Sequence, residues 1–158
     1  MATSLGTPNG LTIQVKNTYG TAIPARRVCS LDESFAPAEI SAAAGGDGTF
    51  ILPISLWVTS TAQQMVGVSV APIPIGGYGI LLVQGYGLVE TGGSVTADDV
   101  IEVTTGGKVQ TFAAGQKVGR AAQTDFTTTD DQDFGAATLT LSLCLIDPMA
   151  ANTDWLTA

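Results

Sequence analysis

The chain has 158 residues and 16.1 kDa, with 14 acidic and 6 basic side chains, no histidine and a formal charge of −8. That length suits one domain with one hydrophobic core. An acidic chain repels the phosphate backbone of nucleic acid, and the missing imidazole removes Ser-His-Asp and Cys-His triads, His-ligated zinc and imidazole acid–base chemistry.

Only 13% of the residues are charged while 45% are hydrophobic, a surplus of apolar surface for which protein–protein contact is the natural outlet. The charge is also uneven: residues 1–89 carry three basic and four acidic side chains, residues 90–158 three basic and ten acidic. Met1-Ala2-Thr3-Ser4-Leu5 lacks the basic start and apolar core of a signal peptide, so synthesis in a reducing cytoplasm is expected. The longest apolar runs, such as Leu52 to Val58, fall far short of the roughly 20 residues that span a bilayer, so no membrane partner is expected.

In chain order, residues 1–10 include Gly6, Pro8, Asn9 and Gly10, have no periodicity and read as a flexible arm that orders on binding. Residues 11–148 then form a single β domain. Leu11-Thr12-Ile13-Gln14-Val15 alternates as a first strand, and Arg26 to Leu31 is a second. Ser34 to Ala44 is the one helix candidate, stopped by Gly45-Gly46. Thr49 to Val58 is apolar, but Pro53 lacks a ladder donor, which predicts an edge strand or two short ones. Gln64 to Val70 and Tyr78 to Gln84 are strands joined through Pro72, Pro74 and Gly76-Gly77.

Val100 to Thr104 and Lys108 to Phe112 flank Thr105-Gly106-Gly107, the strongest hairpin signal in the chain. Val118 to Ala122 is a further strand, Asp125 to Gly135 an acidic loop, and Ala137 to Ile146 a long core strand ended by Pro148. Residues 149–158 read as a tail, in which Trp155 is expected to dock on its own barrel or on a neighbour. With no sustained helical period, the fold class is all-β, a small antiparallel barrel or sandwich. Met65-Val66-Gly67-Val68-Ser69 and Lys117-Val118-Gly119-Arg120-Ala121 echo each other, but two short matches among many Val and Gly residues read as coincidence rather than repeat.

Candidate chemistry is sparse. Gly67-Val68-Ser69-Val70-Ala71 has part of a nucleophile elbow but ends in Ala and has no base for Ser69, so Ser69 reads as a strand residue. Gly106-Gly107-Lys108 has the end of a phosphate loop, yet Val109 replaces the Ser or Thr that would hold magnesium. Asp125, Asp130, Asp131 and Asp133 offer oxygen ligands of the kind calcium takes, and Asp131-Gln132-Asp133-Phe134-Gly135 has part of a calcium-loop rhythm without the third acidic position or the closing glutamate; a solvated loop is the plainer reading. No catalytic residue, cofactor or metal is therefore assigned. Cys29 and Cys144 lie in apolar, strand-like runs, which favours buried thiols over a disulfide. Trp57, Phe50, Tyr78, Phe112 and Phe126 are assigned to core or interface packing.

From Val66 to Ala122 the chain resembles the decoration, or cement, proteins that bind the outside of tailed-bacteriophage heads. The resemblance rests on Val66-Gly67-Val68-Ser69, Gly77-Tyr78-Gly79, Leu82-Val83-Gln84-Gly85, Thr96-Ala97-Asp98-Asp99, Gly107-Lys108-Val109 and Val118-Gly119-Arg120-Ala121, in family order and spacing. Asp98 stands where a glycine is common in that family, and the first 60 residues match only through Ala22 to Leu31. The resemblance implies a non-catalytic virion protein, made in the host cytoplasm and placed on the outer capsid surface, with the major capsid protein and copies of itself (a trimer is one arrangement) as partners. Leu5, Pro8, Leu11, Ile13 and Trp155 are the residues expected at a capsid or subunit interface. A receptor- or glycan-binding module of a tail fibre or adhesin is the contrasting expectation. It too would be β-rich, acidic and non-catalytic, but present in few copies at the tail.

Overall fold

The computed structural model describes residues 9–34, 51–58, 64–130 and 137–148. They form ten strands: β1 (Asn9–Asn17), β2 (Val28–Leu31), β3 (Leu52–Leu56), β4 (Met65–Ser69), β5 (Tyr78–Glu90), β6 (Val100–Val103), β7 (Val109–Thr111), β8 (Lys117–Ala121), β9 (Phe126–Asp130) and β10 (Ala137–Ile146). A 3-10 turn spans Thr105–Gly107, and Pro148, the last described residue, is helical. The Ser34 to Ala44 helix candidate lies almost wholly outside the described residues.

Strands β1, β3, β2, β4 and the first half of β5 close into a five-stranded barrel, because β1 pairs with both β3 and β5. A ring of five strands cannot alternate direction all the way round, so one pair must be parallel; here it is β1–β3, with Val15 opposite Leu52 and Asn17 opposite Ile54. Pro53 is thus in neither an edge strand nor a broken one. In an extended strand, N–H and C=O of one residue point the same way, and the Pro53 carbonyl accepts from the Asp32 N–H just past the end of β2. The donor that Pro53 lacks falls where the ladder stops.

The second half of β5 continues past Gly85 and pairs with β10, from which the sheet runs on through β8 and β6 to β7. A parallel bridge from Thr91 to Val109 closes this second ring. Strand β5 therefore serves twice, ending one barrel and opening the next.

The two rings are the same object. Val28 opposite Val68, and Val68 opposite Leu82, are matched by Val100 opposite Arg120, and Arg120 opposite Leu145. Cys29 opposite Gly67 is matched by Ile101 opposite Gly119, and the register slips immediately after both. Lys16 opposite Tyr78 is matched by Glu90 opposite Leu141, and Leu31 opposite Ile54 by Val103 opposite Val109.

Single hydrogen bonds correspond too. Asn17 N–H donates to Gly77 as Thr91 N–H does to Thr140, and Trp57 N–H donates to Val28 as Phe112 N–H does to Val100. The Val-Gly echo of β4 and β8 is thus a true structural repeat, correcting the sequence-based reading as coincidence. Arg26 (φ 63) and Asp98 (φ 72) occupy equivalent left-handed turn positions. The turn needs that conformation, which side chains other than glycine adopt only at a cost.

Two buried clusters result where one core was expected. One fills the first barrel with Val15, Ile23, Cys29, Ile54, Ile73 and Leu81. Their equivalents in the second barrel include Val89, Val95, Ile101, Val109 and Cys144, which cluster with Val28, Trp57, Val68 and Leu82 from the first barrel's outer wall. The second cluster is therefore both a barrel interior and the joint between barrels.

The acidic stretch is also not all loop. Phe126–Asp130 is β9, paired with Ala137–Leu141 of β10 as a hairpin grafted onto the second barrel; residues 131–136, with Asp131 and Asp133, lie outside the described residues. At the amino end, β1 begins at Asn9, and Asn9 and Gly10 pair with Tyr86 and Gly85, so the strand takes in the last two residues of the expected arm.

Candidate attachment surface

Where chemistry was weakest in the sequence, the side chains serve the fold. The Ser69 hydroxyl donates to the Pro24 carbonyl at 2.7 Å and accepts from the Arg27 N–H at 3.0 Å, tying β4 to the turn before β2. Gly106 and Gly107 have φ of 76° and 74° in the hairpin turn, and Lys108 reaches Glu90 at 3.0 Å. Among the described residues, no group of three His, Cys, Asp or Glu side chains comes close enough to hold a metal. Cys29 and Cys144 are free and buried; burial pushes their thiols up to about 12 and about 11, which keeps both uncharged and inert.

Glu102 sits in a nest of backbone donors. Burial raises its pKa, but the N–H groups of Ala113, Ala114 and Gly115 and the Gln110 amide together outweigh burial and hold it below the usual carboxylate range. It closes the turn between β7 and β8 from within the same chain, so the nest is already filled.

The joint between barrels is polar at its rim. Arg27 Nε meets Glu90 Oε2 at 2.7 Å, its Nη1 donates to the Gly106 carbonyl at 2.8 Å, and the Glu90 N–H donates to the Arg26 carbonyl. Leu88 of the second barrel faces Arg26, Val68, Val70 and Leu82 of the first.

The exposed surface is where a binding role must lie. Leu11 is 59% exposed, Ile75 64%, and Tyr78 and Ile80 50% each. Tyr78 and Ile80 stand opposite Lys16 and Gln14 on the outer face of β5 and β1 and line an open groove of about 490 Å³ with Thr12, Val70 and Pro72. Of the residues expected at an interface, Leu11 lies on this side of the barrel, and Ile13 is half-buried and packs against the first barrel's core. Leu5, Pro8 and Trp155 are outside the described residues, as is Phe50. Trp57 is buried, whereas Tyr78, Phe112 and Phe126 are exposed. Sequence reasoning left Tyr78 and Phe112 open between core and interface, and it missed Ile75, Ile80 and Leu145 as surface groups because each sits in or beside an apolar strand that reads as core. The signal was the excess of hydrophobic over charged residues, which said that apolar surface was exposed but not where.

No family model matches the chain, and no curated protein matches it. Among solved structures it is similar to the N base of the head fibre protein gp8.5 of bacteriophage phi29. The identity is 14% and the TM-score 0.51, with 87% of this chain and 96% of that chain covered. A likeness at that identity concerns the fold, and its coverage takes in both barrels.

Proposed function

We propose that this protein is a non-catalytic structural component of a bacteriophage virion, attached to the outside of the head and reinforcing the shell. The observation that carries the reading is the shared fold with a phage head-fibre base over 87% of the chain. The decoration-protein motifs between Val66 and Ala122 and the apolar surplus agree with it. The near-neutral first barrel presents Leu11 and Ile75, while the acid is concentrated beyond residue 89. The first barrel is therefore the end suited to a protein surface, and the second the end suited to solvent.

At roughly 25 cal/mol per Å², burying ~300 Å² of apolar surface yields ~7 kcal/mol before association costs are subtracted. Repeated over many sites, even a modest surplus per copy raises the temperature at which a head ruptures. The neighbour's identity as a fibre base favours one second reading, in which the chain anchors a projecting fibre without reinforcing the shell. Heating heads with and without the protein distinguishes them. A higher rupture temperature with the protein bound is expected. Equal rupture temperatures at full occupancy would favour the anchor, and failure to bind heads at all would reject both.

A further inference from the structure

The internal repeat carries information about what covers the exposed faces. Inside the chain, one wall of the first barrel (Arg26, Arg27, Val28, Trp57, Val68, Leu82) docks on one wall of the second (Leu88, Glu90 and the Thr105–Gly107 turn). Each of these walls has a counterpart on the other barrel. The counterpart of the second barrel's docking wall is the groove face of the first: Glu90 corresponds to Lys16, Leu88 to Gln14, and the buried Leu141 to the exposed Tyr78. The counterpart of the first barrel's docking wall lies on the second: Arg27 corresponds to Asp99, Val28 to Val100, Trp57 to Phe112 and Leu82 to Leu145.

Among the described residues, both counterpart walls are open. Tyr78 and Ile80 on one, and Phe112 and Leu145 on the other, are among the chain's exposed large hydrophobic side chains. The charges are exchanged on both at once. The intrachain pair is Arg27 with Glu90; the corresponding positions on the open walls are Asp99 and Lys16. A swap on one side alone would set like charges together, whereas the double swap leaves Asp99 and Lys16 of opposite sign at the two positions equivalent to the intrachain pair. It also makes each open wall repel the docking wall it would otherwise mimic, since Asp99 would face Glu90 and Lys16 would face Arg27. The second-barrel wall also carries Asp98, Lys117 and Arg120; Arg120 is turned onto the Asp98 carbonyl and Lys117 lies over the Phe112 ring. The three sum to one positive charge, so with Asp99 the wall is neutral overall, and Asp99 supplies the carboxylate at the position equivalent to Arg27.

We propose that a second copy of this chain docks its first barrel, through Tyr78, Ile80 and Lys16, onto the second barrel of its neighbour, at Phe112, Leu145 and Asp99, repeating between chains the joint found within one. The contact is head-to-tail, so it closes into a ring or runs on as a chain of barrels.

Sedimentation of the full chain up to about 1 mM, where even a contact of about −4 kcal/mol populates the complex, is expected to show species heavier than one chain. Ile80→Asp spoils only the first-barrel wall and Leu145→Asp only the second-barrel wall; each variant alone is expected to be monomeric. Mixed in equal amounts they retain one intact wall of each kind and are expected to form a dimer and nothing larger. Circular dichroism checks that both are folded, and Tyr78→Glu with Phe112→Glu replaces any that is not. A wild-type chain that stays monomeric, single variants that associate as the wild type does, or a mixture that stays monomeric would each overturn the proposal.

Discussion

Gly119→Ala is expected to destabilise the protein by about 3 kcal/mol or more, a larger loss than most core truncations produce. A Cβ built on Gly119 would lie inside the van der Waals envelope of the Leu145 carbonyl oxygen and against its carbonyl carbon. Both obstacles are backbone of the neighbouring strand, so no rotamer change relieves them, and β8 and β10 would have to separate where Gly119 stands opposite Ile146. Gly67 meets the Leu82 carbonyl oxygen in the same way at the equivalent place in the first barrel. The position next to a register slip is where a small ring coils most tightly, and the repeat keeps glycine at both. Chemical denaturation should show the midpoint falling for Gly119→Ala and Gly67→Ala alike. Gly20→Ala is the control, because an added Cβ there meets nothing within 4 Å; its stability should stay within about 0.5 kcal/mol of the wild type. Wild-type stability of Gly119→Ala would show that the strand pair is looser than described.

Removing Glu90 is expected to cost about 2–3 kcal/mol, because a partly buried cation then loses its charged partner. The Arg27 side chain is 16% exposed and the Glu90 side chain 7%, and Lys108 adds a second cation at the same carboxylate. Glu90→Ala leaves Arg27 beside the apolar joint with only the Gly106 carbonyl to receive it. The double change Arg27→Leu with Glu90→Leu removes the unpaired charge and is expected to recover much of the loss, since well-packed apolar residues replace buried ion pairs at little cost. Thermal unfolding of the two single variants and the double variant measures this coupling. Strict additivity of the single effects would contradict the assignment of Arg27 and Glu90 as one unit holding the barrels together.

The β character of the chain, most strand positions and the Gly106-Gly107 hairpin were legible because alternation and turn chemistry are local. What was not legible depends on contacts between distant segments. Pro53 argued for an edge, but the ring places its missing donor beyond the end of β2. Asp125 to Gly135 looked like a loop because Phe126-Thr127-Thr128-Thr129 has no apolar alternation; it pairs anyway, as an added edge hairpin. The repeat was visible only as Val-Gly in β4 and β8. Lys16 against Glu90, Arg27 against Asp99 and Val68 against Arg120 have opposite chemistry at equivalent positions, so the eye matches nothing there. The exposed residues were hidden for a related reason: Tyr78 and Ile80 occupy the positions that Leu141 and Leu143 fill less exposed in the second barrel.

The most direct test of the proposed attachment is to image bacteriophage particles assembled with this chain, located by a label or by its two-barrel density. Attachment to the head predicts many copies distributed over the outer shell surface, with the first barrel toward the shell and the acidic second barrel toward solvent. Density for the chain confined to a few copies at the tail tip would contradict that account and favour a receptor- or glycan-binding role.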